Sequence, residues 1–93
     1  MNTSSIPKRI DDTLVSRKVD NELLIVDQRN NKIHRLNASA EFILSLCDGQ
    51  FSVEEIVNKS FENFDADEEQ IRNDVNITLE NLLELDLIEL SEH

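Results

Sequence analysis

The sequence contains no Tyr and no Trp, and only one Cys, one Gly and one Pro among its 93 residues. A single Cys cannot form an internal disulfide, which fits a protein of the reducing cytoplasm. One Gly is too few for a glycine-rich phosphate-binding loop, and so few turn residues also argue against a turn-dense all-β fold. The longest apolar run is Leu23–Val26, far below the roughly 20 residues that span a bilayer. We therefore expect a cytoplasmic protein with no membrane partner.

Negative charge is abundant and unevenly distributed. Twenty acidic and nine basic residues give a net charge of −11. Residues 1–37 hold seven bases and five acids, a net charge of +2, whereas residues 38–93 hold two bases and fifteen acids, a net charge of −13. Since nucleic-acid-binding proteins concentrate Lys and Arg on one face, nucleic acid is not an expected partner. The 39% of apolar residues suffices for the core of one small domain.

The first half of the chain predicts an antiparallel sheet. Residues 1–12 are polar and without period, so we expect a flexible arm there, followed by a domain at 13–90 and a tail at 91–93. Period-two patterning predicts three strands joined by short turns, at Leu14–Val19, Glu22–Asp27 and Lys32–Leu36. The middle segment is apolar on both faces, which suits a central strand, and the third strand is predicted to lie at an open edge.

The second half has helical periodicity. Three residues that commonly occupy N-cap positions precede its apolar stripes: Asn37, Ser52 and Asp67. Glu55 completes a capping box with Ser52, and Gly49 is predicted to end the first helix. Ile77 stands apart from the apolar stripe of the third helix. The order predicts an α+β fold, an N-terminal three-stranded antiparallel sheet followed by three helices that pack on one of its faces.

An ordered series of short motifs runs through this pattern. It comprises Leu36-Asn37, then Ile43–Gly49, then Ser52–Val57, then Asp74-Val75 with Leu79–Leu82. In this order and spacing the motifs resemble the PqqD family, which contains the small protein of pyrroloquinoline quinone (PQQ) biosynthesis. The family belongs to the wider class of RiPP recognition elements, which act on ribosomally synthesised and post-translationally modified peptides. The resemblance covers about residues 14–90. The chain departs from the family at Asp86, where a small residue, often Gly, is common.

The resemblance implies a winged-helix-like fold that binds the leader segment of a ribosomally synthesised precursor peptide. In the family the leader adds as an extra strand beside the third strand, in a cleft walled by the third helix. The implied partners are the precursor leader and a modifying enzyme, which is a radical-SAM enzyme, a cyclase or a leader peptidase. The domain itself is expected to be non-catalytic and to use no cofactor. A role in PQQ biosynthesis and a lasso-peptide role, with delivery to a leader peptidase, both remain open.

The resemblance also places peptide-binding residues on this chain. They fall on the predicted edge strand and on the third helix: Lys32, Ile33, His34, Arg35, Leu36, Arg72, Val75, Asn76, Leu79 and Leu83. Strand addition is physically reasonable at an open edge, because main-chain hydrogen bonds supply affinity and alternate side chains supply selectivity. The basic edge would attract acidic leader residues and the acidic helix would oppose that attraction, so the preferred leader charge stays open.

Three other functions compete with peptide binding. DNA binding through the third helix is disfavoured, because residues 67–86 carry one Arg and seven acids. Catalysis or metal binding lacks a residue set: Cys47 has no second Cys and suits the core, His34 suits a wall of the sheet or cleft, and the acids of 65–69 suit a helix cap. A homodimerising module that pairs through the same edge strand is the third alternative, so the sequence allows a monomer or a homodimer.

Overall fold

The structure is a computed structural model that describes residues 3–10, 14–29 and 31–91. The elements in chain order are β1 (Ile6–Arg9), β2 (Leu14–Val19), β3 (Glu22–Asp27), β4 (Lys32–Leu36), α1 (Ala38–Ser45), α2 (Val53–Asn63), α3 (Glu68–Glu84) and β5 (Ile88–Ser91). Strands β2, β3 and β4 form an antiparallel sheet with β3 in the centre. The predicted α+β fold, with a three-stranded sheet followed by three helices, is confirmed.

The three helices begin where their capping residues predict. The side chain of Asn37 accepts a hydrogen bond from the Ala40 N–H, and that of Asp67 accepts one from the Gln70 N–H. At the start of α2, Ser52 and Glu55 bond each other's main-chain N–H groups in a complete capping box. Each cap satisfies main-chain donors that a helix cannot satisfy within itself, which fixes where the helix starts.

The end of α1 differs from the prediction. The helix stops at Ser45, with Leu46 as its C-cap, and not at Gly49. Gly49 does adopt a positive φ of 84°, but it does so in the following loop. Its N–H donates to the main-chain oxygen of Pro7 at 3.1 Å, so the glycine serves a contact with the N-terminal segment.

The predicted arm at residues 1–12 is wrong for Ile6–Arg9, which form β1. This strand pairs antiparallel with β5, with Ile6 opposite Ser91 and Arg9 opposite Ile88. On its other side, the Arg9 N–H donates to the Cys47 oxygen at 2.7 Å. The strand is therefore bonded along both sides, to the C-terminal strand and to the loop after α1.

The segment before β1 is also fixed to the domain. Ser5 is buried, and its main-chain oxygen accepts a hydrogen bond from the Val53 N–H at 2.9 Å. The Thr3 oxygen accepts one from the Glu54 N–H at 3.2 Å. Residues 1, 2, 11 and 12 of the predicted arm lie outside the described residues, as do 92 and 93 of the predicted tail.

The hydrophobic core lies between the three-stranded sheet and the helices. It is built from the following buried residues: Ile25, Leu36, Ile43, Leu44, Cys47, Val53, Ile56, Val57, Ile71, Val75, Leu79, Leu82, Leu87 and Ile88. Each helix contributes one apolar stripe, and the sheet contributes its inner face through β3 and β4. Burial of these side chains is the main stabilising term for a domain of this size.

Candidate peptide-binding site

Strand β4 is an edge strand whose outer side pairs with no other described strand. The register shows which main-chain groups it leaves open. Val19 and Glu22 flank a two-residue turn and so form a hydrogen-bonded pair. Because hydrogen-bonded pairs alternate along antiparallel strands, His34 bonds toward β3 opposite Ile25. The N–H and C=O groups of its two neighbours on β4, Ile33 and Arg35, consequently point to the open edge.

A groove of about 560 Å³ lies beside the end of this edge, between β4, α1 and α3. Its floor contains three buried apolar residues: Leu36, Ile43 and Leu82. Its rim and walls are formed by Arg35, Asn37, Ser39, Ala40, Asp74, Ile77, Thr78, Asn81, Glu84 and Leu85. The groove therefore offers an apolar bottom, a largely polar rim and an adjacent row of open main-chain groups.

The five predicted residues of β4 divide between the two faces of the sheet. Leu36 is buried in the core, and the alternation of side chains places His34 and Lys32 on the same, inner face. Ile33 and Arg35 lie on the outer face, where Ile33 is 68% exposed. His34 is half-buried, and its Nε2 has no hydrogen-bond partner among the described residues.

The predicted residues of α3 lie away from the groove. Val75 and Leu79 are buried in the core, and Leu83 packs against the core from its margin. Arg72 bonds Glu54 of α2, and Asn76 is half-buried beside a second, shallow polar pocket that Arg72 also lines. None of the five lines the groove, whose α3 wall is formed instead by Asp74, Ile77, Thr78, Asn81, Leu82, Glu84 and Leu85.

Ile77 and Leu85 are the exposed apolar groove residues that the sequence prediction missed, in addition to Ile43 and Leu82 of the floor. Ile77 and Leu85 are 49% and 37% exposed, respectively. Both lie on the α3 surface that looks into the groove, flanking Asn81, since residues four apart on a helix share a face. The isolated position of Ile77 on the polar side of the helix is the signal that could have located this wall.

Arg72 is held by acidic residues of the helical layer. Its guanidinium donates to both carboxylate oxygens of Glu54, at 2.6 and 2.9 Å, and lies 3.7 Å from the Glu68 carboxylate. This hydrogen bonding lowers the pKa of Glu54 and raises that of Arg72. Because the Glu54 pKa is lowered, the pair is fully formed at neutral pH and is lost as the pH falls through that lowered value.

Cys47 is a core residue, as predicted. It is buried, and its thiol lies 3.3 Å from the Ile43 oxygen. Burial, with a smaller effect of the Asp48 carboxylate, raises the pKa of the Cys47 thiol to about 12. Since the thiolate is the reactive form, this cysteine stays protonated and unreactive at neutral pH.

Neither a metal centre nor a membrane segment is found in the described part of the chain. No three His, Cys, Asp or Glu residues within it come together in a way that could hold a metal ion. None of the described helices combines the length and apolar character that a membrane span requires.

Fold and site together define a small α+β domain whose sheet ends in an open edge beside a groove. The chain belongs to the PqqD family, because the family model described as "Coenzyme PQQ synthesis protein D (PqqD)" matches residues 22–88. This confirms the resemblance found in the sequence motifs. The match runs from the start of β3 to the start of β5, and so includes β4, the groove and all three helices.

A solved structure is similar to the chain in sequence and fold. It is described as "TbiB1 in Complex with the TbiA(beta) Leader Peptide". The two share 26% sequence identity and a TM-score of 0.74, over 87% of this chain and 94% of TbiB1. A comparison with curated proteins gives no match.

Proposed function

We propose that this protein binds the leader segment of a ribosomally synthesised precursor peptide and presents it to a modifying enzyme. The leader adds as a strand to the open edge of β4, and its inward side chains enter the groove beside α3. The domain performs no chemistry itself and acts in PQQ or a related RiPP biosynthesis. The observation that carries the proposal is the open β4 edge next to an apolar groove, in a PqqD-family chain similar to a leader-peptide complex.

The geometry supports strand addition through two kinds of contact. Ile33 and Arg35 offer outward main-chain donors and acceptors, which bind any extended peptide irrespective of its sequence. The groove floor at Leu36, Ile43 and Leu82 offers an apolar surface to alternate side chains of the guest. Main-chain bonds give affinity and the floor gives selectivity, which suits recognition of one leader among many peptides.

The proposed contact residues are those that the structure brings to the edge and groove. On β4 they are Lys32, Ile33, His34, Arg35 and Leu36. On α3 we propose the groove wall in place of the residues first predicted there, which do not line the groove: Asp74, Ile77, Thr78, Asn81 and Leu85.

The test begins with the natural peptide. The protein is purified from its native cell, the co-purifying peptides are identified by mass spectrometry, and the candidate is synthesised. It is titrated into ¹⁵N-labelled protein. We expect the amide signals of Ile33 and Arg35 to shift and to become protected from hydrogen exchange, together with shifts along the groove wall of α3.

Unchanged signals at these positions at a saturating peptide concentration would refute strand addition to β4. Shifts confined to the opposite edge, at β2, would place the peptide on the wrong side of the sheet and would have the same consequence.

A further inference from the structure

The charges around the groove carry an inference about the peptide that it accepts. We infer that the guest strand is divided by charge, with an acidic side chain on its outward face and basic side chains at the ends of an apolar inward row. The inference rests on the proposed function, because it describes the occupant of the β4 edge.

The first observation is that the groove separates the two oppositely charged parts of the chain. Strand β4 ends the segment of net charge +2, and α3 belongs to the segment of net charge −13. At the groove itself the sheet side contributes Arg35, and the α3 wall contributes Asp74 and Glu84 with no basic residue. A guest strand between β4 and α3 therefore meets positive charge on one side and negative charge on the other.

The second observation is that these groove charges have no ion-pair partners within residues 3–10, 14–29 and 31–91. Elsewhere in the described residues, Lys18 pairs with Glu41, Arg29 with Asp27, and Arg72 with Glu54 and Glu68. Within the same residues, Arg35, Asp74 and Glu84 form no such pair. Three unpaired charges at the border of an apolar groove are available to a ligand of complementary charge.

Strand geometry assigns each charge to one face of the guest. Side chains of adjacent strands that lie opposite each other point to the same face of the sheet. A guest residue opposite Arg35 therefore points outward, where a carboxylate is favoured, and one opposite the exposed Ile33 favours an apolar group. Guest residues opposite Leu36 point inward, toward the groove.

The inward side chains meet the α3 wall. Ile77 presents exposed apolar surface between Asp74 and Glu84, which lie ten residues apart along the helix, and Leu85 presents it directly after Glu84. That separation corresponds to about 15 Å, or the length of four to five residues of an extended strand. The guest thus needs an apolar row of this length with Lys or Arg near its ends. This assignment reduces the conflict between a basic edge and an acidic helix, because Arg35 and the acidic residues of α3 act on different faces of the peptide.

The test uses displayed random peptides of twelve residues, selected for binding to the protein of residues 1–93. The best binders are synthesised and located by amide shifts and by contacts to β4. We expect binders in the groove to alternate between faces, with Asp or Glu opposite Arg35 and Lys or Arg beside Asp74 or Glu84. Charge reversal by Arg35→Glu, or by Asp74→Lys, should weaken binding by roughly five- to tenfold. Repeating the selection on Arg35→Glu should enrich Lys or Arg at the outward position.

Glu69→Lys is the matched control for Asp74→Lys, since it makes the same charge change on an exposed α3 residue outside the groove. It should bind the selected peptides as the unaltered protein does. Circular dichroism establishes that each variant is folded.

The possible outcomes separate the inference from the proposed function. Binders that occupy the groove without a charge pattern, and that tolerate both reversals, would overturn the charge division and leave strand addition standing. A selection whose binders never contact β4 would overturn both.

Discussion

Asp86 occupies a backbone conformation that an aspartate side chain disfavours. Its φ is 58°, in the left-handed region, directly after the C-cap of α3. Gly adopts positive φ without steric cost, so this conformation suits the small residue that the family resemblance implies at this position. A carboxylate at a helix C-terminus is also unfavourable, because it faces the negative end of the helix dipole.

Replacement of Asp86 by Gly should therefore stabilise the protein. We expect a gain of about 0.5–1 kcal/mol in the free energy of unfolding, the relief of strain exceeding the added entropy of the unfolded chain. Urea denaturation followed by circular dichroism measures the change. Asp86→Ala serves as the control, because it removes the charge and keeps the strain. Equal stability of the two variants would show that the positive φ costs nothing.

Asp27 is a fully buried carboxylate in a network that connects β3 with the loop before β5. It accepts hydrogen bonds from the Arg29 N–H at 3.0 Å and from the Arg29 side chain at 3.2 and 3.3 Å. Arg29 in turn donates to the main-chain oxygen of Asp86 at 2.7 Å. A single carboxylate thus orients the arginine that fixes this loop.

We expect Asp27→Ala to lower the free energy of unfolding by about 2–3 kcal/mol, because it leaves these donors without their acceptor. Lys18→Ala breaks an exposed ion pair to Glu41 and should cost less than about 1 kcal/mol. Urea denaturation of the two variants provides the comparison. If the two variants lose the same free energy of unfolding, the buried Asp27–Arg29 pair stabilises the protein no more than the exposed Lys18–Glu41 pair does.

At the scale of elements, β4 carries the binding proposal through main-chain groups. Ile33→Pro removes the outward N–H without removing a bond to β3, since Pro is tolerated at the open side of an edge strand. Peptide affinity should fall at least tenfold, which isothermal titration calorimetry measures. Ile33→Ala, which retains the main-chain N–H, should lose much less affinity for the peptide. If Ala is as damaging as Pro, then the side chain, and not strand pairing, holds the peptide.

The two flanks of α3 have different roles in the structure. Ile77 faces the groove, and Arg72 faces α2 through its bonds to Glu54. We expect Ile77→Ala to weaken peptide binding by about fivefold, the value of roughly 1 kcal/mol of apolar contact. Arg72→Ala should leave affinity unchanged. Fluorescence anisotropy of a labelled peptide measures the affinity of both variants. A larger loss for Arg72→Ala than for Ile77→Ala would show that the peptide contacts the face of α3 first predicted from the sequence.

The elements that the sequence predicted correctly are those whose positions depend on residues close together in the chain. Caps at Asn37, Ser52 and Asp67, and period-two patterning in β2 to β4, depend on neighbouring residues, and each was found where predicted. The residues predicted on α3 differ from those that line the groove, because an apolar stripe identifies the core face of a helix. The face that remains open, with Ile77 and Asn81, is the flank of that stripe.

At the scale of the whole molecule, β1 is the element that could not be predicted from the sequence. Ile6–Arg9 contains a Pro and no alternation, and its partner Ile88–Ser91 lies about 80 residues away. Neither segment indicates which strand it pairs with, although Ile88–Ser91 alternates apolar and polar residues. Only the assembled fold brings Arg9 beside Ile88 and Cys47.

Removal of residues 1–9 tests the contribution of this strand. The truncated chain loses the β1–β5 pairing and the bonds that Thr3, Ser5, Pro7 and Arg9 make to residues 47–54. We expect the free energy of unfolding to fall by at least about 3 kcal/mol, at roughly 1 kcal/mol per hydrogen bond. Thermal unfolding by circular dichroism reads this out. A truncated chain as stable as the untruncated one would restore the interpretation of this segment as a loose arm.

The open side of β4 has room for a single additional strand. A leader peptide and the β4 strand of another molecule would therefore exclude one another from it. If two copies of the protein pair there, peptide must first displace a copy, and mass action makes the apparent dissociation constant rise with protein concentration. Peptide would then act as a monomerising agent, and sedimentation in its presence would report occupancy of the edge directly.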